Sequence, residues 1–70
     1  MEVGAKIKRA REAAGMTQAE LAHKLAVDQS TLSRWERDDP TPSLRWLSEI
    51  AHATAQPIPF FFNETREART

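Results

Sequence analysis

The chain has no cysteine, which excludes disulfides, zinc-finger ligation and cysteine-based catalysis together. It has no net charge, ten Lys/Arg standing against ten Asp/Glu, and so lacks the basic balance by which many nucleic-acid-binding domains are recognised. No apolar run approaches the roughly eighteen residues that a membrane helix needs. The opening MEVGAKIKRAREAAG is charged where a signal peptide would be apolar. Internal repeats, low-complexity tracts and strand-like alternation are all missing. So are a glycine loop to cradle phosphate and a nucleophile–base set, and an enzyme is not expected. His23 and His52 stand singly, away from metal-ligand spacing, and are expected to face solvent. Asp38-Asp39 lies in a proline-rich loop with no pocket to raise a carboxyl pKa. No metal and no cofactor are expected, and a soluble cytoplasmic protein is.

What is present is helical. Seventy residues make one small domain that buries only about 60% of its unfolded surface, so stability is expected to be modest and self-association a natural way to bury more. The stretch TQAELAHKLAVDQSTLSRWE at 17–36 is the most informative. Thr17-Gln18-Ala19-Glu20 is a capping box, and Leu21, Ala22 and Leu25 then repeat at helical spacing. Ala26-Val27-Asp28 breaks that pattern, and Asp28 is placed to cap a second helix at 29–37. In the second helix Leu32 and Trp35 face inward, leaving Gln29, Ser30, Thr31, Ser33 and Arg34 outside. Two capped helices around a short turn, the second with a polar outer face, read as a helix-turn-helix that binds double-stranded DNA in the major groove.

Around this pair, a first helix is expected at 3–14, with Val3, Ile7, Ala10 and Ala14 on one face and Gly15 as its stop. Asp38-Asp39-Pro40-Thr41-Pro42 is a loop. Thr41 is expected to cap a fourth helix with Pro42 at its first position, and Leu44, Leu47, Ile50 and Ala51 form its apolar stripe as far as about Thr54. Pro59 opens a last turn through Phe60, Phe61 and Phe62, in which Phe61 caps the core. The expected fold is all-α, a compact four-to-five-helix domain over 1–63, with 64–70 a polar, flexible tail. Residues 1–37 hold seven Lys/Arg against five acids, and 38–70 hold three against five. The positive excess therefore lies in the half that should meet DNA, but it is small, so fitted contacts must supply more of the binding than general phosphate attraction does.

Taken in order, Ile7, Arg11, TQAELA at 17–22, Leu25, Leu32-Ser33-Arg34-Trp35-Glu36, Pro42-Ser43-Leu44 and Ile50-Ala51 resemble the Cro/repressor-type helix-turn-helix regulators, the xenobiotic-response-element family. The likeness runs from about Val3 to Phe62. It implies five helices and a homodimer on a palindromic operator, usually as a repressor. It assigns Gln18 to a backbone phosphate, and Gln29, Ser30, Thr31 and Arg34 to base edges or adjacent phosphates; Arg37, at the end of the second helix, is read as either a further phosphate contact or plain surface. It also assigns Arg11 and Glu36 to a structural ion pair. Gln suits adenine and Arg suits guanine, while Ser or Thr suits several groups. The sequence departs from the family at Ala26, where glycine is usual in a left-handed turn, at Thr54-Ala55, where leucine and glycine are usual, and at the acidic Asp38-Asp39.

Trp35 is expected in the core. Trp46, Phe60 and Phe62 are candidates for a dimer contact or for packing within the chain. The rival reading is a protein-interaction module with little DNA binding of its own, and an antitoxin or restriction-system controller would combine both roles. A third is the DNA-binding part of a longer regulator, although the polar tail would serve as an end.

Overall fold

The computed structural model describes residues 2–62; the expected tail at 64–70 and the side chain of Phe62 lie outside the described residues. Four α-helices follow in order, α1 (Val3–Ala13), α2 (Gln18–Leu25), α3 (Gln29–Glu36) and α4 (Leu44–Thr54), and a 3₁₀ helix at Ile58–Phe62 closes the series. The all-α expectation holds, with no strand among the described residues.

Short helices in water are held by the apolar faces they bury rather than by propensity. Each helix here sends a few residues to one centre. Val3, Ile7 and Ala10 come from α1, Leu21, Ala22 and Leu25 from α2, Leu32 and Trp35 from α3, and Leu47, Ile50 and Ala51 from α4. Phe61 enters fully buried from the 3₁₀ helix, as the sequence suggested. Ala14 does not join this face: α1 ends at Ala13, and Ala14 lies exposed in the turn.

The helix starts differ from one another. The capping box of α2 forms in full, Glu20 N–H donating to Thr17 Oγ1 at 3.1 Å and Thr17 N–H to Glu20 Oε1 at 2.8 Å. Asp28 occupies the N-cap of α3 but accepts no capping hydrogen bond with its side chain. Thr41 does not cap α4. Ser43 takes that place with a long 3.5 Å contact from Trp46 N–H, Thr41 Oγ1 donates instead to Asp38 Oδ1, and Pro42 is buried ahead of the helix. With Ser43 as N-cap, Leu44 becomes the first helical residue and turns outward, 64% exposed. The apolar stripe is therefore Leu47, Ile50, Ala51 and Thr54, the last satisfying its hydroxyl by donating to Ile50 O at 2.8 Å.

The helix ends all follow one pattern. After α1, Gly15 N–H reaches Glu12 O and Met16 N–H reaches Arg11 O around a left-handed Gly15 (φ 74°), a Schellman closure. The same pair of bonds closes α2 at Ala26, α3 at Asp38 and α4 at Ala55, with φ of 61°, 56° and 60°. Only one of the four turning residues is glycine. A left-handed alanine crowds its Cβ against the following carbonyl, at about 1 kcal/mol. Ala26→Gly is accordingly expected to raise stability by about 0.5 kcal/mol once glycine's greater freedom in the unfolded chain is subtracted. A shift of the urea midpoint upward with an unchanged slope would show it.

Candidate nucleic-acid interface

The α2–turn–α3 unit is anchored from beneath by Leu21, Leu25, Leu32 and Trp35, all buried. Trp35 also meets Trp46 of α4, ring centroids 5.2 Å apart. With those positions inward, helical geometry leaves Gln29, Ser30 and Arg34 exposed and Thr31 and Ser33 half-buried along the other side of α3.

A polar chain crosses three helices under this surface. Arg11 Nε donates to Glu36 Oε2 at 2.7 Å, and Arg11 Nη1 donates to Met16 O at 2.9 Å. Glu36 Oε1 accepts from Gln18 Nε2 at 2.9 Å, and Gln18 Oε1 accepts in turn from Gln29 Nε2 at 3.4 Å. The ion pair expected between Arg11 and Glu36 is thus present and nearly dry, the two side chains being 11% and 5% exposed. The guanidinium is held above arginine's ordinary pKa, first by its hydrogen bond to Glu36 and then by the charges of Glu36 and Glu12, while burial opposes them.

This chain constrains what Gln18 and Gln29 can offer. A carboxamide has two N–H donors and one acceptor oxygen. Gln18 spends one donor on Glu36 and its oxygen on Gln29, which leaves one N–H for a phosphate oxygen. Gln29 spends one donor on Gln18 and keeps its oxygen and second N–H, the pair that matches the N6 and N7 edge of adenine. Arg34 lies exposed but folded back, Nε donating to Asp39 O at 3.2 Å. Arg37 donates to Ser33 Oγ at 2.9 Å, one turn earlier on the same face. Both bonds are exposed and compete with water, so either arginine can leave its partner for the charged oxygen of a phosphate or for a base edge.

Gly4, which sequence reasoning passed over, and Asp38, which it read only as a loop acid, shape the same region. Gly4 in α1 lies against the end of α3: a Cβ there would stand 2.5 Å from Glu36 O and 2.7 Å from Trp35 O. Asp38 Oδ1 accepts from Gly4 N–H at 2.9 Å, so at least one acid of the loop points into the protein. The candidate dimer residues are only half free. Trp46 and Phe60 are half-buried and pack on their own core, Phe60 edge-to-face with Phe61 at 5.3 Å and 5.7 Å from Lys6 Nζ. Among the described residues, the large apolar side chains left outside are Leu44, at 64% exposure, and Ile58, at 39%. His23 and His52 are exposed, as expected.

A capped α2, a tight turn, and an α3 anchored by Leu32 and Trp35 beneath a polar outer row define a helix-turn-helix domain. Comparison with known proteins agrees. The family model HTH_3, described as helix-turn-helix, matches residues 7–61. The HTH-type transcriptional regulator ImmR of Bacillus subtilis (strain 168) is 38% identical over 52 residues, covering 74% of this chain and 41% of ImmR. This chain belongs to the XRE-type helix-turn-helix family, whose class is that of DNA-binding transcription regulators. It spans less than half the length of the curated relative it matches. No solved structure matches it. Among the described residues, no helix is long and apolar enough to cross a membrane.

Proposed function

We propose that this chain is a sequence-specific transcriptional repressor that binds a palindromic operator as a symmetric dimer. Two copies of α3 would enter successive major grooves about 34 Å apart. Gln29, Ser30, Thr31 and Arg34 read base edges, while Gln18, assisted by Arg37, sets the register on phosphates. The observation that carries this reading is the Glu36–Gln18–Gln29 chain. It leaves one amide N–H of Gln18 unspent, as a phosphate contact requires, and an adenine-matched donor and acceptor on Gln29 at the start of α3. The exposed Ile58, beside Phe60, is the surface offered for the second copy, with Leu44 and Trp46 of α4 as the alternative.

Selection of bound sequences from a random duplex pool at near-physiological salt tests the proposal. An inverted repeat with half-sites one helical turn apart is the expected result. No enrichment over a shuffled control would favour the protein-interaction reading, for which Leu44 and Ile58 would be the first surfaces to probe. On the selected operator, Arg34→Ala is expected to cost about 1–3 kcal/mol and to relax preference at one base pair. Gln18→Ala is expected to weaken all duplexes, with a smaller added loss at the base pair that Gln29 reads, because it also removes the partner of Gln29. Titration of both variants at matched salt, with wild-type affinity retained by both, would refute these roles.

A further inference from the structure

Asp38 and Asp39 carry the same charge one residue apart, yet they are held differently. Asp38 is half-buried, and its Oδ1 accepts from Gly4 N–H and from Thr41 Oγ1, each at 2.9 Å. Asp39 is exposed and gives Arg34 its backbone carbonyl. α1 has no side-chain cap at Glu2. The Asp38 carboxylate therefore serves as its N-terminal cap from 34 residues away along the chain, placing negative charge against amides that are free at a helix start.

The same residue terminates α3. Asp38 is left-handed, and its N–H closes on Trp35 O at 3.0 Å. α1 and α3 are thus fastened at two places, Arg11 to Glu36 and Gly4 to Asp38. Gly4 and Arg11 are two helical turns apart on α1, about 10 Å along its axis. A single attachment is a pivot; two at that separation set an angle. We infer that Asp38 is a positioning residue for the recognition helix: by capping α1 it sets the angle at which α3 is presented, and so the ratio of operator to non-operator binding. The binding half of this inference rests on the proposed DNA function, and the angular half does not.

Simple electrostatics leads to the opposite expectation, since removing an acid near phosphates strengthens binding to any duplex. Three variants separate the two. Asp38→Gly keeps the left-handed backbone and deletes the carboxylate, Asp38→Asn keeps an acceptor oxygen, and Asp39→Asn removes the neighbouring charge alone. Residual dipolar couplings of backbone amides report the α1–α3 angle without DNA, and titration of the selected operator and an unrelated duplex at one salt concentration reports the ratio. Asp38→Gly is expected to turn α3 relative to α1 and to lower the ratio about tenfold, the effect of one mismatched base pair. Asp38→Asn is expected to restore most of both. Asp39→Asn should leave the angle and the ratio unchanged and tighten both duplexes alike.

An unchanged angle in Asp38→Gly, or tightening of both duplexes as in Asp39→Asn, would overturn the inference. A wild-type chain that binds no duplex selectively, with an Asp38→Gly variant whose α3 still turns, would support the positioning and remove only the DNA reading. Should Asp38→Gly not fold, the wild-type Gly4 amide decides. It is expected to exchange with solvent about tenfold or more slower than an uncapped amide, and exchange at the unprotected rate would overturn the inference.

Discussion

Replacing Glu36 by alanine is expected to remove about 3–5 kcal/mol of folding stability, because it leaves the Arg11 guanidinium nearly buried without its counter-charge. Arg11 and Glu36 are 11% and 5% exposed and meet at 2.7 Å, so little water replaces the lost partner, but Arg11 keeps its bond to Met16 O, which favours the lower part of that range. Gln18 loses its acceptor in the same step, and with it the support that aims Gln29. Domains of this size have total stabilities near the low end of about 5–15 kcal/mol, so a substantial unfolded fraction is expected at 37 °C. Urea unfolding followed by the fluorescence of Trp35 and Trp46 measures it. Glu36→Gln, which keeps one acceptor oxygen, for Gln18 Nε2 or for Arg11 Nε but not for both, and loses the charge, should fall between wild type and alanine. A loss below about 1 kcal/mol in the alanine variant, the level of an exposed pair, would mean that water reaches the site.

The pH dependence of this contribution has a definite sign. The folded-state pKa of Arg11 is raised above its ordinary value. Its stabilisation is therefore complete at any pH below that ordinary value and is lost only as pH climbs through the folded one. Both lie in strong alkali, so the Arg11 side of the pair gives no slope between mildly acidic and mildly alkaline conditions.

Gly4→Ala is the second large effect, with an expected net loss of about 2 kcal/mol. The new Cβ would meet three backbone atoms, Glu36 O at 2.5 Å and Glu36 C and Trp35 O at 2.7 Å. Backbone cannot swing aside as the tip of a side chain can, so α1 and α3 must separate, a strain of about 3 kcal/mol or more. Alanine's better helix propensity returns up to about 1 kcal/mol. For a domain of this length each kcal/mol lowers the melting temperature by about 4–8 °C, so a drop of about 8–16 °C is expected by calorimetry. An unchanged melting temperature would mean that the two helices do not approach as closely as described.

The core and the order of the helices were legible because short amphipathic segments with strong caps leave few alternatives. The capping box at Thr17–Glu20, the breaks at Gly15 and Ala26, and the inward Leu32 and Trp35 all express local rules. The start of α4 was misread because Thr41 and Ser43 both suit an N-cap. The choice between them turned on Asp38, a partner that engages the Thr41 hydroxyl. Gly4 and Asp38 were missed for a related reason: their roles exist only between elements far apart in sequence. One signal was available. A glycine in the first turn of a helix, where almost any residue would form helix better, marks a close approach. Gln29, Ser30 and Arg34 lie exposed on α3, but the hydrogen bonds of Gln29 to Gln18 and of Arg34 to Asp39 O could not be read from spacing.

Three of the four helix closures use alanine or aspartate where glycine would sit without strain. Against glycine, Ala26 and Ala55 each lower net stability by about 0.5 kcal/mol. Each kcal/mol multiplies the unfolded fraction about fivefold, and in a cell it is the unfolded fraction that proteases act upon. Two methyl groups at helix ends, remote from the polar face of α3, are therefore expected to shorten the lifetime of the chain. That lifetime governs how quickly the concentration of a regulator can fall after its synthesis stops.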